Sequence, residues 1–216
     1  MARLRLGVLV SGRGSNLQAL LDACADPDFP AEVALVISNV PDAYALTRAE
    51  SAGVPTLVVR HKEFADRAAF DAALDAALRQ ARVDLVCLAG FMRLLTEGFV
   101  EGWRDRIINI HPSLLPAFRG LHTHEQALEA GVRFHGCTVH FVRPELDDGP
   151  IIVQGVVPVR ADDDADALAA RVLEVEHRIF PLAVRLIAEG QAVVEGNGVR
   201  VRGAIASDAV LINPAP

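Results

Sequence analysis

Lysine is almost missing from this chain. Lys62 is the only one among 216 residues, and it sits in the polar stretch His61-Lys62-Glu63. That rules out a Gly-Lys-Ser/Thr phosphate loop and argues against a buried Schiff-base lysine. Cysteine is nearly as scarce. Cys24, Cys87 and Cys137 are odd in number, far apart, and form no Cys-x-x-Cys pair. They read as reduced packing residues in a reducing cytosol, not as a disulfide frame. Long apolar runs are lacking too. The run that follows Arg3 and Arg5 stops at Ser11-Gly12, too short for a secretory leader, and no stretch is long enough to span a membrane. The expected location is cytoplasmic. Excess positive charge is absent: the formal charge is −7. A broad nucleic-acid footprint needs clustered Lys and Arg, so no nucleic-acid partner is expected. A local basic pocket for one phosphate remains compatible with that charge.

What is present is a large apolar fraction. Hydrophobic residues make up 51% of the chain, enough for a sizeable core in one α/β domain. Residues 1–206 read as that single domain, and 207–216 as a C-terminal tail expected to be poorly ordered. Strands and helices alternate through the first two-thirds. Leu4 to Val10 reads as a strand, Asn16 to Ala25 as a helix, and Val33 to Ser38 as a second strand. Asp42 is placed to cap a helix that ends before Gly53. Thr56 to Val59 is a short strand, and Phe64 to Gln80 a helix with Phe70, Leu74 and Leu78 at i, i+4, i+8. Asp84 to Ala89 and Arg106 to Ile110 are the next strands. The pattern predicts an α/β fold: an open, mostly parallel twisted sheet with helices on both faces and right-handed crossovers. In the last third, Phe134 to Val142 and Ile151 to Val159 read as longer strands joined by the loop 143–150. A helix from Ala165 to Ala188 carries the apolar stripe Leu168, Val172, Val175, Ile179, Leu182 and Leu186, with Pro181 expected to kink it. Glu195-Gly196-Asn197-Gly198 signals a hairpin near the end.

Ligands of open α/β sheets bind beyond the carboxyl ends of the strands. Three such ends carry unusual residues. Ser11-Gly12-Arg13-Gly14-Ser15-Asn16 lies between a strand and a helix, where free N–H groups favour an anion. Leu17 stands where a dinucleotide loop wants glycine, and Asn39 where it wants an acid. A mononucleotide or sugar phosphate fits better than NAD. Ala89-Gly90-Phe91-Met92-Arg93-Leu94-Leu95 follows the fourth strand. Spacing alone reads Phe91, Met92 and Leu94 as ordinary core, with a pocket for a flat ring as the alternative.

The third end is Ile108-Asn109-Ile110-His111-Pro112-Ser113-Leu114-Leu115-Pro116. Asn109 and His111 share one side of an extended strand, and two prolines then force the chain out of regular structure. An amide donor beside a titratable ring suits a reaction in which oxygen gains charge and a proton moves. Downstream, His122 and His124 are two apart, but only Glu125 neighbours them as a ligand-type residue, so no metal is expected. Glu145-Leu146-Asp147-Asp148-Gly149-Pro150 joins the two later strands. A carboxylate from it would orient the His111 ring, or the segment could equally be a solvated turn.

Taken together, these loops resemble one family. Ser-Gly-x-Gly-Ser-Asn, Ala-Gly-Phe-Met-Arg, Asn-Ile-His-Pro-Ser-Leu-Leu-Pro, Gly-Leu-His-Thr-His, Thr-Val-His-Phe-Val and Glu-Leu-Asp-x-Gly-Pro-Ile occur in that order, followed by Glu176-His177 and Pro181. Over residues 4 to 195 the chain resembles the phosphoribosylglycinamide formyltransferases, folate-dependent enzymes of purine synthesis. The resemblance implies a Rossmann-like formyltransferase fold and formyl transfer from 10-formyltetrahydrofolate, as co-substrate, to the amine of glycinamide ribonucleotide. It implies catalytic roles for Asn109, His111 and Asp147. It implies ribonucleotide contacts at Gly14, Ser15, Asn16 and Glu176, and folate contacts at Arg67, Met92, Arg93, Leu94, Leu95 and Asn109. Neither a metal nor a covalent enzyme intermediate is needed, and monomer and homodimer both stay open. The chain departs from the pattern at Leu173, where Lys or Gln often stands; Arg13 or Arg119 could supply the missing phosphate contact. Arg119 and Arg143-Pro144 are further departures. Methionyl-tRNA formyltransferase and formyltetrahydrofolate hydrolase share the Asn-x-His-Pro-Ser-Leu-Leu-Pro core but are similar to longer proteins with added domains.

Overall fold

Leu4–Val10 forms the first strand, β1, and its alternation sets the layering. Leu6, Val8 and Val10 point to one apolar layer and Leu9 to another, as period-two side chains must. A computed structural model describes residues 2–203 and 209–214. After β1 come α1 (Ser15–Ala25), β2 (Ala31–Ser38), α2 (Tyr44–Ser51), β3 (Thr56–Val58), α3 (Arg67–Gln80), β4 (Leu85–Leu88), α4 (Glu97–Gly102) and β5 (Ile107–His111). Then follow α5 (Thr123–Glu129), β6 (Phe134–Phe141), β7 (Ile151–Pro158), α6 (Ala165–Ala188) and the hairpin β8 (Ala192–Glu195) and β9 (Gly198–Val201). The main sheet has seven strands in the order β3-β2-β1-β4-β5-β6-β7. The first five are parallel, and β6 and β7 are antiparallel to their neighbours.

One apolar layer holds Leu17 and Leu20 of α1 with Val172 and Phe180 of α6; the other holds Phe70, Leu74 and Leu78 of α3 with Trp103. This is the expected α/β architecture with helices on both faces. β1 and β4 are buried on both sides, which is why they read as unbroken apolar runs. Cys87 and Cys137 are buried and Cys24 half-buried, all as free thiols.

Three local expectations change. Asp42 does not cap α2; Ala43 takes that place without a side-chain bond. α3 begins at Arg67, because the Asp66 side chain accepts from Ala69 N at 2.8 Å and fixes the start there. The α6 stripe fails at Leu182, which is 43% exposed, while Phe180, Ala183 and Val184 are buried. Spacings of 4 and 3 repeat every 3.5 residues, whereas a helix turns in 3.6, so the stripe drifts by about 20° per seven residues. Across the two repeats from Leu168, that drift carries Leu182 off the sheet. The helix itself runs unbroken through Pro181. Residues 207, 208, 215 and 216 of the expected tail lie outside the described residues. Within the tail, the Asn213 amide donates to Arg133 O at 2.6 Å and Val159 O at 3.0 Å.

The entry to α6 is held by charge. Asp164 caps it by accepting from Ala167 N, and both oxygens of Asp163 accept from Arg171 at 2.7 Å. Hydrogen bonding from Arg171 holds the Asp163 carboxyl down at about 2, against about 3.9 for a free Asp. Because the folded value is the lower one, this pair stabilises the fold fully above pH 4. The contribution is lost as pH falls towards 2. Arg171→Met should therefore lower the melting temperature at pH 7, and the gap from the parent should narrow towards pH 2.5. A gap that is constant from pH 7 to 2.5 in calorimetry would contradict this.

Candidate active site

The strand order reverses between β1 and β4, so their carboxyl ends open a crevice. Leu9, Leu88 and Asn109 lie in register across β1, β4 and β5. Two strand spacings, about 10 Å, therefore separate the β1 end from the Asn109 strand. The loops that follow these three strands face the same crevice.

The loop after β4 is tied at both ends. Ser11 Oγ accepts from Met92 N at 2.8 Å and donates to Asn39 Oδ1 at 2.6 Å. Asp71 Oδ2, buried on α3, accepts from Thr96 N at 2.6 Å and from Thr96 Oγ1 at 2.7 Å. Between these ties, Met92 and Leu94 are 67% and 60% exposed, so the reading of them as core is wrong. Their backbone is pinned while their side chains are held out. Arg93 is exposed beside them, and Leu95 is half-buried. Phe91 stacks on Phe70, ring centroids 6.5 Å apart, which brings the first turn of α3 against this loop. Arg67 opens that turn and is exposed.

The loop after β1 enters α1 through Gly14, whose φ is 71°. A Cβ there would lie 2.6 Å from Ala45 Cβ and 2.8 Å from its Cα, so only glycine fits against α2. Ser15 and Asn16 are the first residues of α1, where backbone N–H groups have no helical partner. Asn16 Nδ2 donates to Glu176 Oε2 on α6 at 2.7 Å across 160 residues of sequence. Burial raises the Glu176 pKa, and the Asn16 hydrogen bond opposes that shift. Leu173 is half-buried one turn earlier on α6. Of the two arginines considered for its place, Arg119 is paired with Asp148, while Arg13 is exposed within the glycine loop itself. Beneath it, Arg48 Nε donates to Arg13 O at 2.8 Å.

The end of β5 carries the third group. His111 is buried, and its Nε2–H donates to Phe118 O at 3.0 Å, since a carbonyl can only accept. His111 Nδ1 faces Asp147 Oδ2 at 3.6 Å. That oxygen also accepts from Gly120 N at 2.9 Å. Asp147 has a φ of 50°, a left-handed conformation that Asp tolerates better than most residues. Asn109 Nδ2 lies 3.3 Å from His140 Nε2, and His140 Nδ1 lies 3.0 Å from Phe141 O. Burial pushes the His140 imidazole down to about 4. Asp148 points instead to Arg119 at the surface. Asn109, His111 and Asp147 thus come together, and Gly14, Ser15, Asn16 and Glu176 form a second group. The two downstream histidines diverge: His122 meets Glu125 at 3.3 Å, and His124 packs edge-on against His135.

A family model described as formyl transferase matches residues 4–184. The chain belongs to the formyl transferase family. It is 46% identical to the phosphoribosylglycinamide formyltransferase of Escherichia coli (strain K12) over 200 residues, 93% of this chain and 94% of that one. It is 54% identical over 194 residues to the trifunctional purine biosynthetic protein adenosine-3 of Drosophila melanogaster, covering 89% of this chain but only 14% of the fly protein. The crystal structure of glycinamide ribonucleotide transformylase 1 from Symbiobacterium toebii matches it with a TM-score of 0.90 at 53% identity, covering 92% and 94% of the two chains. As a formyl transferase, the chain brings to its crevice several groups that sequence reasoning missed. They are the His140 ring, the Ser11 and Asp71 ties, and the backbone of Phe118 and Gly120. Ser11, Gly120 and His140 carried a signal, as members of Ser-Gly-x-Gly-Ser-Asn, Gly-Leu-His-Thr-His and Thr-Val-His-Phe-Val, whereas Asp71 and Phe118 carried none. Among the described residues, no helix is long and apolar enough to cross a membrane.

Proposed function

We propose that this protein transfers the formyl group of 10-formyltetrahydrofolate to the amine of glycinamide ribonucleotide. The observation that carries this reading is the approach of Asp147 to His111 Nδ1, beside Asn109, in a member of the formyl transferase family. The substrate nitrogen attacks the formyl carbon, and the carbonyl electrons move to oxygen. An N–H of Asn109 donates to that oxyanion. The His111 ring is tethered through Nε2, so Nδ1 is the atom free to face the reacting centre. At 3.6 Å the contact with Asp147 is longer than a hydrogen bond. A proton on Nδ1 can then serve both the carboxylate and the oxyanion. The C–N bond to folate breaks as the carbonyl reforms, and the proton lost by the amine passes to the folate nitrogen through His111 or water. Holding both substrates in line supplies much of the rate, up to about 7–11 kcal/mol.

In this reading, Gly14, Ser15 and Asn16 receive the ribonucleotide phosphate at the start of α1, and Glu176 holds Asn16 and the sugar end. Met92 to Leu95, with Arg67, receive the folate. Arg13 takes over the phosphate contact left by Leu173. Arg13→Ala should raise KM for the ribonucleotide by about 3- to 10-fold with little change in kcat, and should flatten its salt dependence. An unchanged KM at low salt would remove Arg13 from the site.

The deciding experiment supplies purified protein with 10-formyltetrahydrofolate and compares glycinamide ribonucleotide, charged initiator tRNA and water as acceptors. Turnover should require the ribonucleotide. Equal folate turnover without it would make the protein a hydrolase, and transfer to the tRNA would replace the proposed acceptor.

A further inference from the structure

His140 is buried at 2% exposure, directly opposite Asn109 in the antiparallel pair β5–β6. On its other side, the β6–β7 register shifts between Val139 and His140, which leaves Ile152 of β7 as the extra, unpaired residue. Phe141 O can only accept, so His140 Nδ1 carries the ring proton that bridges their 3.0 Å. Nε2 is then a bare lone pair, and the Asn109 atom 3.3 Å away must be a donor. This fixes the amide orientation by hydrogen-bond logic. We propose that His140 is a positioning residue for formyl transfer: its Nε2 holds one N–H of Asn109 and so directs the other N–H to the oxyanion.

The surroundings keep the ring in that form. Gly149 packs on the Phe141 carbonyl so closely that any Cβ would collide with it, which keeps that carbonyl beside Nδ1. The charged and titratable groups facing the ring are Asp147, with Oδ1 4.0 Å from Nε2, and His111. A proton on Nε2 would attract Asp147 away from His111 and leave the Asn109 amide without its acceptor. Burial, which lowers the His140 pKa to about 4, disfavours that extra proton near neutral pH.

The inference rests on Asn109 as the oxyanion donor, and the two can be tested apart. Asn109→Ala tests the donor itself. His140→Leu removes the acceptor, while His140→Gln offers a carbonyl oxygen near the position of Nε2. His140→Leu should lower kcat by about 10²-fold with both KM values nearly unchanged, since loss of alignment costs about that much. His140→Gln should recover most of the loss. If Asn109→Ala loses turnover and folded His140→Leu does not, the positioning role fails alone. If Asn109→Ala keeps full turnover, the donor reading itself fails. Independently of whether variants fold, imidazole 15N spectra of the unaltered protein at pH 7 should show His140 protonated on Nδ1 only. Protonation on Nε2 would overturn the inference.

Discussion

Asp147→Asn should lower kcat by about 10²- to 10⁴-fold, the range that a positioned acid–base partner contributes. The variant is well suited to the question. Asn tolerates the left-handed φ of 50° that Asp147 adopts, so the backbone need not move. An Asn carbonyl oxygen can still accept from Gly120 N, so the tie at 2.9 Å survives. What disappears is the negative charge facing His111 Nδ1. Asp148→Asn is the matched comparison. It removes an exposed ion pair with Arg119 and leaves His111 untouched, so turnover should stay within about twofold of the parent. Steady-state kinetics on both variants checks the pair. A severe loss for Asp148→Asn with normal turnover for Asp147→Asn would shift the catalytic acid by one position.

Gly14→Ala should act on binding instead of chemistry. The added Cβ would lie 2.6 Å from Ala45 Cβ, at a φ of 71° that L-residues avoid. Strain of this kind costs about 1–3 kcal/mol. The loop can relieve it only by leaving α2, which turns the α1 N–H groups away from the ribonucleotide. KM for the ribonucleotide should rise about 10- to 100-fold, with kcat at saturation less affected. Isothermal calorimetry with the ribonucleotide alone should show the same loss. Unchanged affinity in a folded variant would mean the phosphate does not sit on this loop.

Much of the fold is legible because it is local. The apolar runs of β1 and β4 announce strands buried on both faces, and the alternation with helices announces a parallel sheet. Asn109 and His111 are legible because period two puts them on one side of β5. Asp147 is legible only through the family motif, because nothing local tells whether loop 143–150 folds back on β5. The Asn109–His140 contact lies in an antiparallel register across 31 residues, and that register cannot be read from spacing. The Asp71 tie to Thr96 joins a helix to a loop, a contact that spacing does not reveal, which is why spacing alone reads Met92 and Leu94 as core. α4 and α5 have six and seven residues, too short for a periodic stripe.

The central claim is that the amine attacks the formyl carbon directly, between two bound substrates. Label tracing tests it most directly. The protein would receive 10-formyltetrahydrofolate carrying 13C in the formyl group, together with glycinamide ribonucleotide and a large excess of unlabelled formate. Direct transfer predicts a product whose formyl carbon is labelled to the same extent as the donor, with no labelled formate formed ahead of it. Dilution of the product label by the formate pool, or release of labelled formate with no labelled product, would contradict it.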